Sequence, residues 1–380
     1  MRFGIVGTGF ISDWFVAACR LAGGTPTAVY SRDRDRGVAF AARHGLTFAF
    51  GSLDELVKSP SVDAVYVASP IAAHTRQVAC ALTNGKHVLC EKTMGTSPEE
   101  VASLYRLSDQ NDTVLLEAIR PTHDPASAVI KAALPRLGAI RSAHIEKCQY
   151  SSRYAPFLRG EVLNAFNPAS GNSALRDLGV YCLHPCLTMF GNPLSFTGAD
   201  YHLANGFQAG GTAVLNYGSM SATCTYSKIA TTVLPSVIEG ERGSLTIDSI
   251  AEPAQVTFTD HSGHSFDVLA GLSKHPHETL HHPIEEFLRL CEGNMIDHPY
   301  RAQTLTAEVI ISALLSSDGE PEWTRLANCA HSPSAVHDRP EALTRATQKN
   351  KVITTNLYTH MTRDVSQLGD IIDGQREERP

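Results

Sequence analysis

The chain contains no CxxC pair, no block of basic residues, and no apolar run approaching the roughly 18 residues that a membrane-spanning helix needs. Its nine cysteines, at positions 19, 80, 90, 148, 182, 186, 224, 291 and 329, are odd in number and scattered. That argues against a disulfide framework and a four-cysteine zinc site, and leaves them as small apolar core residues. Thirty-two Lys+Arg stand against 39 Asp+Glu, a formal net charge of −7 with nothing concentrated enough to neutralise a phosphate backbone. Nucleic acid and membrane are therefore not expected partners. The opening segment Arg2–Val6 reads as a strand rather than as a basic, then apolar, then cleavable leader, so the expected location is the cytoplasm. What remains is small-molecule chemistry. A chain of 380 residues, 43% of them hydrophobic, is long enough to bury a sizeable core, and at roughly 100–200 residues per domain it allows about two domains.

Over residues 1–120, short β-branched runs alternate with helix-period segments. The candidate strands are Arg2–Val6, Pro26–Tyr30, Thr47–Ala49, Ala64–Ala68, His87–Cys90 and Thr113–Leu116; the candidate helices are Ile11–Leu21, Arg34–His44, Leu53–Lys58, Thr75–Asn84 and Pro98–Asp109. The last helix is opened by the capping-box-like string Thr96–Glu100. This alternation predicts an α/β, Rossmann-type, doubly wound parallel sheet. From about Gly138 the strands lengthen and alternate apolar with polar residues, with helices at Asn172–Phe190, Pro283–Glu292 and Thr304–Leu315. Residues 121–316 are thus expected to form an α+β substrate and oligomerisation domain on a large open antiparallel sheet. Residues 317–380 are polar and weakly periodic, with Pro321, Pro333 and Pro340, and read as a loosely ordered extension.

The first strand runs into Gly7-Thr8-Gly9-Phe10-Ile11-Ser12 and then a helix. In a strand–turn–helix setting this GxGxxG-like string points to a dinucleotide. Gly7 permits the tight turn, Gly9 lets a pyrophosphate approach backbone N–H groups around Phe10 and Ile11, and small Ser12 allows close helix–strand packing. The second strand ends Tyr30-Ser31-Arg32, where a ribose-binding acidic residue is usual for NAD. Ser31 leaves room for a 2′-phosphate and Arg32 supplies the charge for it, which favours NADP. Asp33 reaching a ribose hydroxyl would keep NAD possible.

Two further segments leave the carboxyl ends of parallel strands: Ser69-Pro70-Ile71-Ala72-Ala73-His74, and Gly85-Lys86-His87-Val88-Leu89-Cys90-Glu91-Lys92-Thr93. With the glycine start they resemble the glucose-fructose oxidoreductase/inositol dehydrogenase/MocA (Gfo/Idh/MocA) family over roughly residues 1–315. The resemblance implies that Lys92 is the catalytic lysine, that Glu91 belongs to the cofactor site, and that Ser69, Pro70 and His74 belong to the nicotinamide pocket. It also implies a homodimer or higher oligomer formed through the sheet of the second domain. Two positions depart from the family pattern. Thr93 replaces the proline whose bond aims the lysine, and a non-proline cis bond costs about 2.5–4 kcal/mol; Ile71 replaces a polar asparagine.

In the second domain, Asp177, Tyr181 and His184 are spaced by four and three residues, which on an α-helix puts carboxylate, phenol and imidazole on one face. The string resembles the dihydrodiol and sugar dehydrogenase branch of the family, in which the tyrosine at the position of Tyr181 is the general acid/base. A phenol ordinarily titrates near 10 and needs a nearby cation to act near neutrality, whereas an imidazole near 6.5 does not, so His184 competes for the role. The expected activity is NADP-dependent hydride exchange with a hydroxyl or carbonyl carbon of a sugar, cyclitol or cyclic diol, with no metal. Asp177 would orient a substrate hydroxyl or the lysine.

Two other classes compete. His277-Glu278-Thr279-Leu280-His281 fits the HExxH pattern of zinc metallohydrolases, but Pro276 and Pro283 bracket it too tightly for the helix that pattern requires. The other is an NADP-binding regulatory protein with weakened turnover, suggested by Thr93 and Ile71.

Overall fold

A computed structural model describes residues 1–161, 163–271, 278–316, 324–327 and 352–354. Strands β1 (Arg2–Val6), β2 (Thr25–Tyr30), β3 (Phe48–Phe50), β4 (Ala64–Val67), β5 (His87–Glu91) and β6 (Leu115–Ala118) form one parallel sheet in the order β3-β2-β1-β4-β5-β6. Helices cover both faces, so β4 reads as a continuous apolar run, Ala64-Val65-Tyr66-Val67, with every residue fully buried. Phe3, Ile5, Phe15 and Tyr66 pack on one side of the sheet and Val6, Val65, Val67 and Val88 on the other. Its connections are right for a doubly wound fold. The strand order reverses between β1 and β4, and a ligand crevice opens outside the carboxyl ends of strands at such a point.

The local sequence explains the helix boundaries. Helix Arg34–His44 starts where the Asp33 side chain accepts the Arg36 N–H at 3.1 Å, and stops at Gly45, whose φ of 66° suits a residue without a Cβ. Ser97 caps helix Pro98–Gln110, while the Glu100 carboxylate reaches back to the Thr96 N–H at 2.9 Å.

The second sheet contains β7 (Ile140–Cys148), β8 (Ser195–His202), β9 (Gln208–Asn216), β10 (Ser221–Ser227), β11 (Ser236–Gly240), β12 (Gly243–Ile247), β13 (Gln255–Asp260) and β14 (Ser265–Ala270). Two short strands of the C-terminal extension, β15 (Thr324–Ala327) and β16 (Val352–Thr354), complete the order β14-β13-β12-β11-β7-β10-β9-β8-β15-β16. The expected antiparallel sheet carries parallel pairs at β7–β10 and β15–β16. The first arises because β7 enters the sheet between two antiparallel meanders, β8-β9-β10 and β11-β12-β13-β14, and has to pair with both. Apart from those two strands, the extension lies outside the described residues.

One face of this sheet, including Ala213, Leu215, Ala222 and Cys224, packs on helix Val180–Phe190 and helix Tyr300–Leu315. The chain also returns to the first domain. Leu280, Ile284, Phe287 and Leu290, from helix His281–Glu292 and the residue before it, join the core of Phe3, Phe15 and Tyr66, and the Phe3 and Phe287 rings lie 5.9 Å apart. Among the described residues no helix is long and apolar enough to cross a membrane.

Candidate active site

At the carboxyl end of β1, Gly7 has φ +110°, and a Cβ there would stand 2.8 Å from the Ala68 carbonyl oxygen. Only glycine fits that turn. Around Gly9 the space is open, with no atom within 4 Å of where a Cβ would stand, and no side chain caps the helix Phe10–Leu21 that starts beside it. An uncapped helix N-terminus under an open glycine suits a pyrophosphate. Phe10 is exposed and meets Trp14 edge-on, Ile11 is half-buried against the core, and Ser12 is buried in the packing that its small size allows.

At the end of β2, Ser31 is buried and Arg32 exposed. The Asp33 carboxylate is engaged as the cap of the next helix, accepting the Arg36 N–H. Exposed Arg32 therefore follows Ser31 at the strand end that separates the two cofactors, and one oxygen of the neighbouring Asp33 is already engaged.

Beyond β4 and β5 the loops are tied to each other. Ser69 Oγ donates to Gln77 Oε1 at 2.5 Å, Pro70 precedes the short 3-10 turn Ile71–Ala73, and His74 lies fully buried with Nδ1 2.9 Å from the Thr93 carbonyl and Nε2 2.7 Å from the Ser69 carbonyl. His74 is thus a strut joining two strand ends. Glu91 accepts from the Tyr66 hydroxyl at 2.6 Å, and burial raises its carboxyl against that bond and the neighbouring Lys92 charge. The Lys92–Thr93 peptide is cis with threonine in place of the family proline, and Lys92 reaches across to the second domain.

There, Lys92 Nζ lies 2.6 Å from Asp177 Oδ1 and 2.7 Å from the Asp177 carbonyl, while Lys228 Nζ holds Asp177 Oδ2 at 2.5 Å. Burial alone would raise the Asp177 carboxyl, but the Lys92 and Lys228 ammonium groups outweigh it and hold it far below the usual carboxylate range. Burial likewise opposes the Lys92 charge, and Asp177, with Tyr181 and Glu91, holds it above the usual lysine value. Lys92 is consequently a protonated donor at neutral pH, not a base. The Tyr181 ring lies 5.1 Å from Lys92 Nζ, and Arg120 Nη2 donates to the Tyr181 hydroxyl at 3.1 Å. Arg120 and Lys147 in turn share Glu252, at 2.9 and 3.3 Å.

The structure brings Lys92, Asp177 and Tyr181 together and leaves His184 out. A π-helical stretch, Leu175–Gly179, carries Asp177 and precedes helix Val180–Phe190, which carries both Tyr181 and His184. Its wider turn changes the angle between Asp177 and the helix that follows, and leaves the angle between Tyr181 and His184 as in any α-helix. Gly179 permits the close approach, since a Cβ there would stand 3.0 Å from the Tyr226 ring. His184 faces instead into the seam between the domains: its Nδ1 pairs with Gln303 at 3.0 Å, its Nε2 is 3.6 Å from Glu117, and burial pushes its imidazole down to about 3. It is a core histidine.

Sequence reasoning missed Arg120, Lys147, Lys228 and Glu252. One signal was available for Arg120, which follows the carboxyl end of β6 where parallel sheets place ligand groups. Lys147 and Lys228 sit near the ends of paired strands β7 and β10, an adjacency that only the register reveals.

Of the HExxH segment, His277 lies outside the described residues. Glu278, Thr279 and Leu280 form a turn, the Glu278 carbonyl pairs with His281 Nδ1 at 2.5 Å, and the helix begins only at His281. The described part therefore lacks the helical frame of a zinc metallohydrolase. His281, His282 and Glu285 come together at this helix start.

A family model described as an oxidoreductase family with an NAD-binding Rossmann fold matches residues 1–118. The NADP(+)-dependent scyllo-inositol 2-dehydrogenase IolU of Bacillus subtilis is 36% identical over 317 residues, covering 82% of this chain and 96% of its own length. The trans-1,2-dihydrobenzene-1,2-diol dehydrogenase of Macaca fuscata fuscata is 32% identical over 194 residues, 50% of this chain and 56% of that protein. Levoglucosan dehydrogenase, solved with NADH and levoglucosan, shares the fold at a TM-score of 0.76 and 16% identity, over 85% of this chain and 98% of that one. From the glycine turn through the Lys92 segment to a relative aligned along nearly its whole length, the chain belongs to the Gfo/Idh/MocA oxidoreductase family.

Proposed function

We propose that the protein is an NADP-dependent oxidoreductase interconverting a hydroxyl and a carbonyl on a sugar, cyclitol or cyclic diol. The observation that carries this reading is the meeting of Lys92, from the end of β5, with Asp177 and Tyr181, from the second domain, beside the crevice at the carboxyl ends of the parallel strands. The relatives act on cyclitols, cyclic diols and an anhydrosugar by name, which supports the substrate class.

The backbone from Gly7 to Ile11 would hold the pyrophosphate, Ser31 and Arg32 the 2′-phosphate, and Ser69, Pro70, His74 and Glu91 the loops around the nicotinamide. Engagement of Asp33 as a helix cap supports NADP over NAD. The bound nicotinamide supplies or takes up the hydride. Lys92, protonated and anchored by Asp177, donates to the substrate oxygen and stabilises negative charge developing there. Tyr181 gives its proton to that oxygen during reduction and recovers one from the hydroxyl during oxidation. Asp177, clamped by Lys92 and Lys228, keeps the lysine aimed.

The test is absorbance at 340 nm with NADP+ and a panel of inositols, sugars and cyclic diols. Turnover is expected with at least one polyol, and Lys92→Ala and Tyr181→Phe should each lower kcat by about 10²–10⁴-fold, the range for an acid/base group, with NADPH affinity nearly kept. Undiminished turnover in Lys92→Ala would overturn the assignment.

A homodimer and a cytoplasmic location belong to the same proposal. The sheet face away from the helices carries half-buried Thr212, Val214, Thr223, Thr225, Val237 and Thr246 beside exposed His144 and Glu239, a mixed surface of the kind that receives a second copy. Light scattering reads this directly, with a dimer mass supporting it and a monomer mass opposing it.

A further inference from the structure

We propose that Arg120 is a positioning residue that fixes the direction in which Tyr181 exchanges its proton. The inference rests on the reading of Tyr181 as the acid/base group. It starts from a difference between the two partners. A guanidinium carries five N–H donors and no acceptor, whereas a phenol oxygen both donates and accepts. In the 3.1 Å contact between Arg120 Nη2 and the Tyr181 oxygen, the phenol must therefore be the acceptor. Its own hydrogen points elsewhere.

The other charged groups around the ring narrow the choice. Lys92 Nζ and Lys147 Nζ lie 5.1 and 6.0 Å from the ring centroid, and a protonated lysine cannot accept a hydrogen bond either. Glu252 pairs with Arg120 at 2.9 Å and Lys147 at 3.3 Å, on the side of the ring that Arg120 takes. The phenolic hydrogen is thereby turned away from the Arg120 side and left for a substrate oxygen in the cleft. When it leaves, the guanidinium already faces the oxygen that takes up the negative charge, with no reorganisation required.

Arg120 itself is held from three parts of the chain. It follows β6 in the short helix Arg120–His123, its Nη1 donates to Thr279 Oγ1 at 3.2 Å in the turn before helix His281–Glu292, and Glu252 pairs with it from the loop after β12. Its side chain is 10% exposed and that of Glu252 8%. A guanidinium packed over the ring, 5.3 Å from its centroid, cannot swing away without giving up its pair with buried Glu252.

The experiment compares Arg120→Met and Arg120→Lys with wild type in the full-length protein. In Arg120→Met, kcat falls about 10²- to 10³-fold, as for loss of one preorganised donor, while KM for the polyol and the NADPH titration stay nearly unchanged. Arg120→Lys, which keeps the charge and a donor, recovers part of kcat. A second readout does not depend on turnover: the ¹³Cζ resonance of Tyr181 in tyrosine-labelled protein, assigned with Tyr181→Phe, shifts in Arg120→Met and shifts less in Arg120→Lys. Unchanged kcat and an unmoved resonance would overturn the proposal. So would equal losses in both variants accompanied by a raised KM, which mark a merely structural role. If wild type turns over no polyol while the resonance moves as stated, the functional reading fails and the Arg120–Tyr181 coupling stands.

Discussion

Behind the Lys92 loop, Glu117 accepts the Met94 N–H at 2.8 Å and the Thr304 hydroxyl at 2.9 Å, and burial still pushes its carboxyl up to about 7. An unfolded glutamate loses its proton near 4.5. Between those two values the unfolded chain releases a proton that the folded one keeps, so this group's contribution to stability falls as pH rises through the window. Glu117→Gln, which cannot ionise and keeps the size, should remove that fall. In urea melts from pH 4 to 8 the variant should gain on wild type by an amount on the order of 2–3 kcal/mol across the window; parallel curves would contradict the account. Residue identity was legible in the sequence where chemistry and position coincide. Lys92, Asp177 and Tyr181 each stand at a strand end or a helix start facing the crevice, and they meet as expected. His184 turns into the seam between the domains, towards Gln303 and Glu117, which its spacing from Tyr181 does not reveal, and Arg120 was missed because its meaning lies in a partner 61 positions away.

The segment after Lys92 is aimed by an element of the other domain. Arg176, beside Asp177 in the π-helical stretch, donates to the carbonyls of Gly95 and Thr96 at 2.9 and 2.8 Å and forms a two-pronged pair with Glu308 of helix Tyr300–Leu315 at 2.7 and 2.8 Å. Both side chains are buried. Removing one partner strands the other, so Arg176→Met should cost about 3–5 kcal/mol, whereas Arg176→Met with Glu308→Leu should recover much of it, because buried pairs can often be replaced by apolar ones. Thermal and urea denaturation of the two variants decide this, and a double variant no better than the single would contradict it. At this scale the sequence was informative wherever caps mark an end. Helices Arg34–His44 and Leu53–Lys58 and strand β1 match their expected bounds. Strand β6 was expected two residues early because Thr113 and Val114, although β-branched, serve the turn: Thr113 N–H bonds back to Ser108 and Val114 N–H to His87 Nδ1. The parallel β7–β10 pair was invisible, since alternation sets which face is buried but not which strand lies alongside.

Across the whole molecule, the parallel sheet supplies the nucleotide crevice, the second domain supplies Asp177, Tyr181 and Lys228, and helix Tyr300–Leu315 packs against helices of both domains. The division into a parallel and a mostly antiparallel sheet follows from the change in strand pattern near Gly138. The return of helix His281–Glu292 to the first domain does not, because its apolar stripe would suit either core. NADP is the cofactor for which this architecture is built. Parallel fluorescence titrations of the purified, metal-free protein with NADPH and NADH test it most directly, with Arg32→Ala alongside. Tight NADPH binding, weaker NADH binding, and a loss in Arg32→Ala confined mainly to NADPH are the predicted result; binding of neither nucleotide, or equal losses for both, would contradict it.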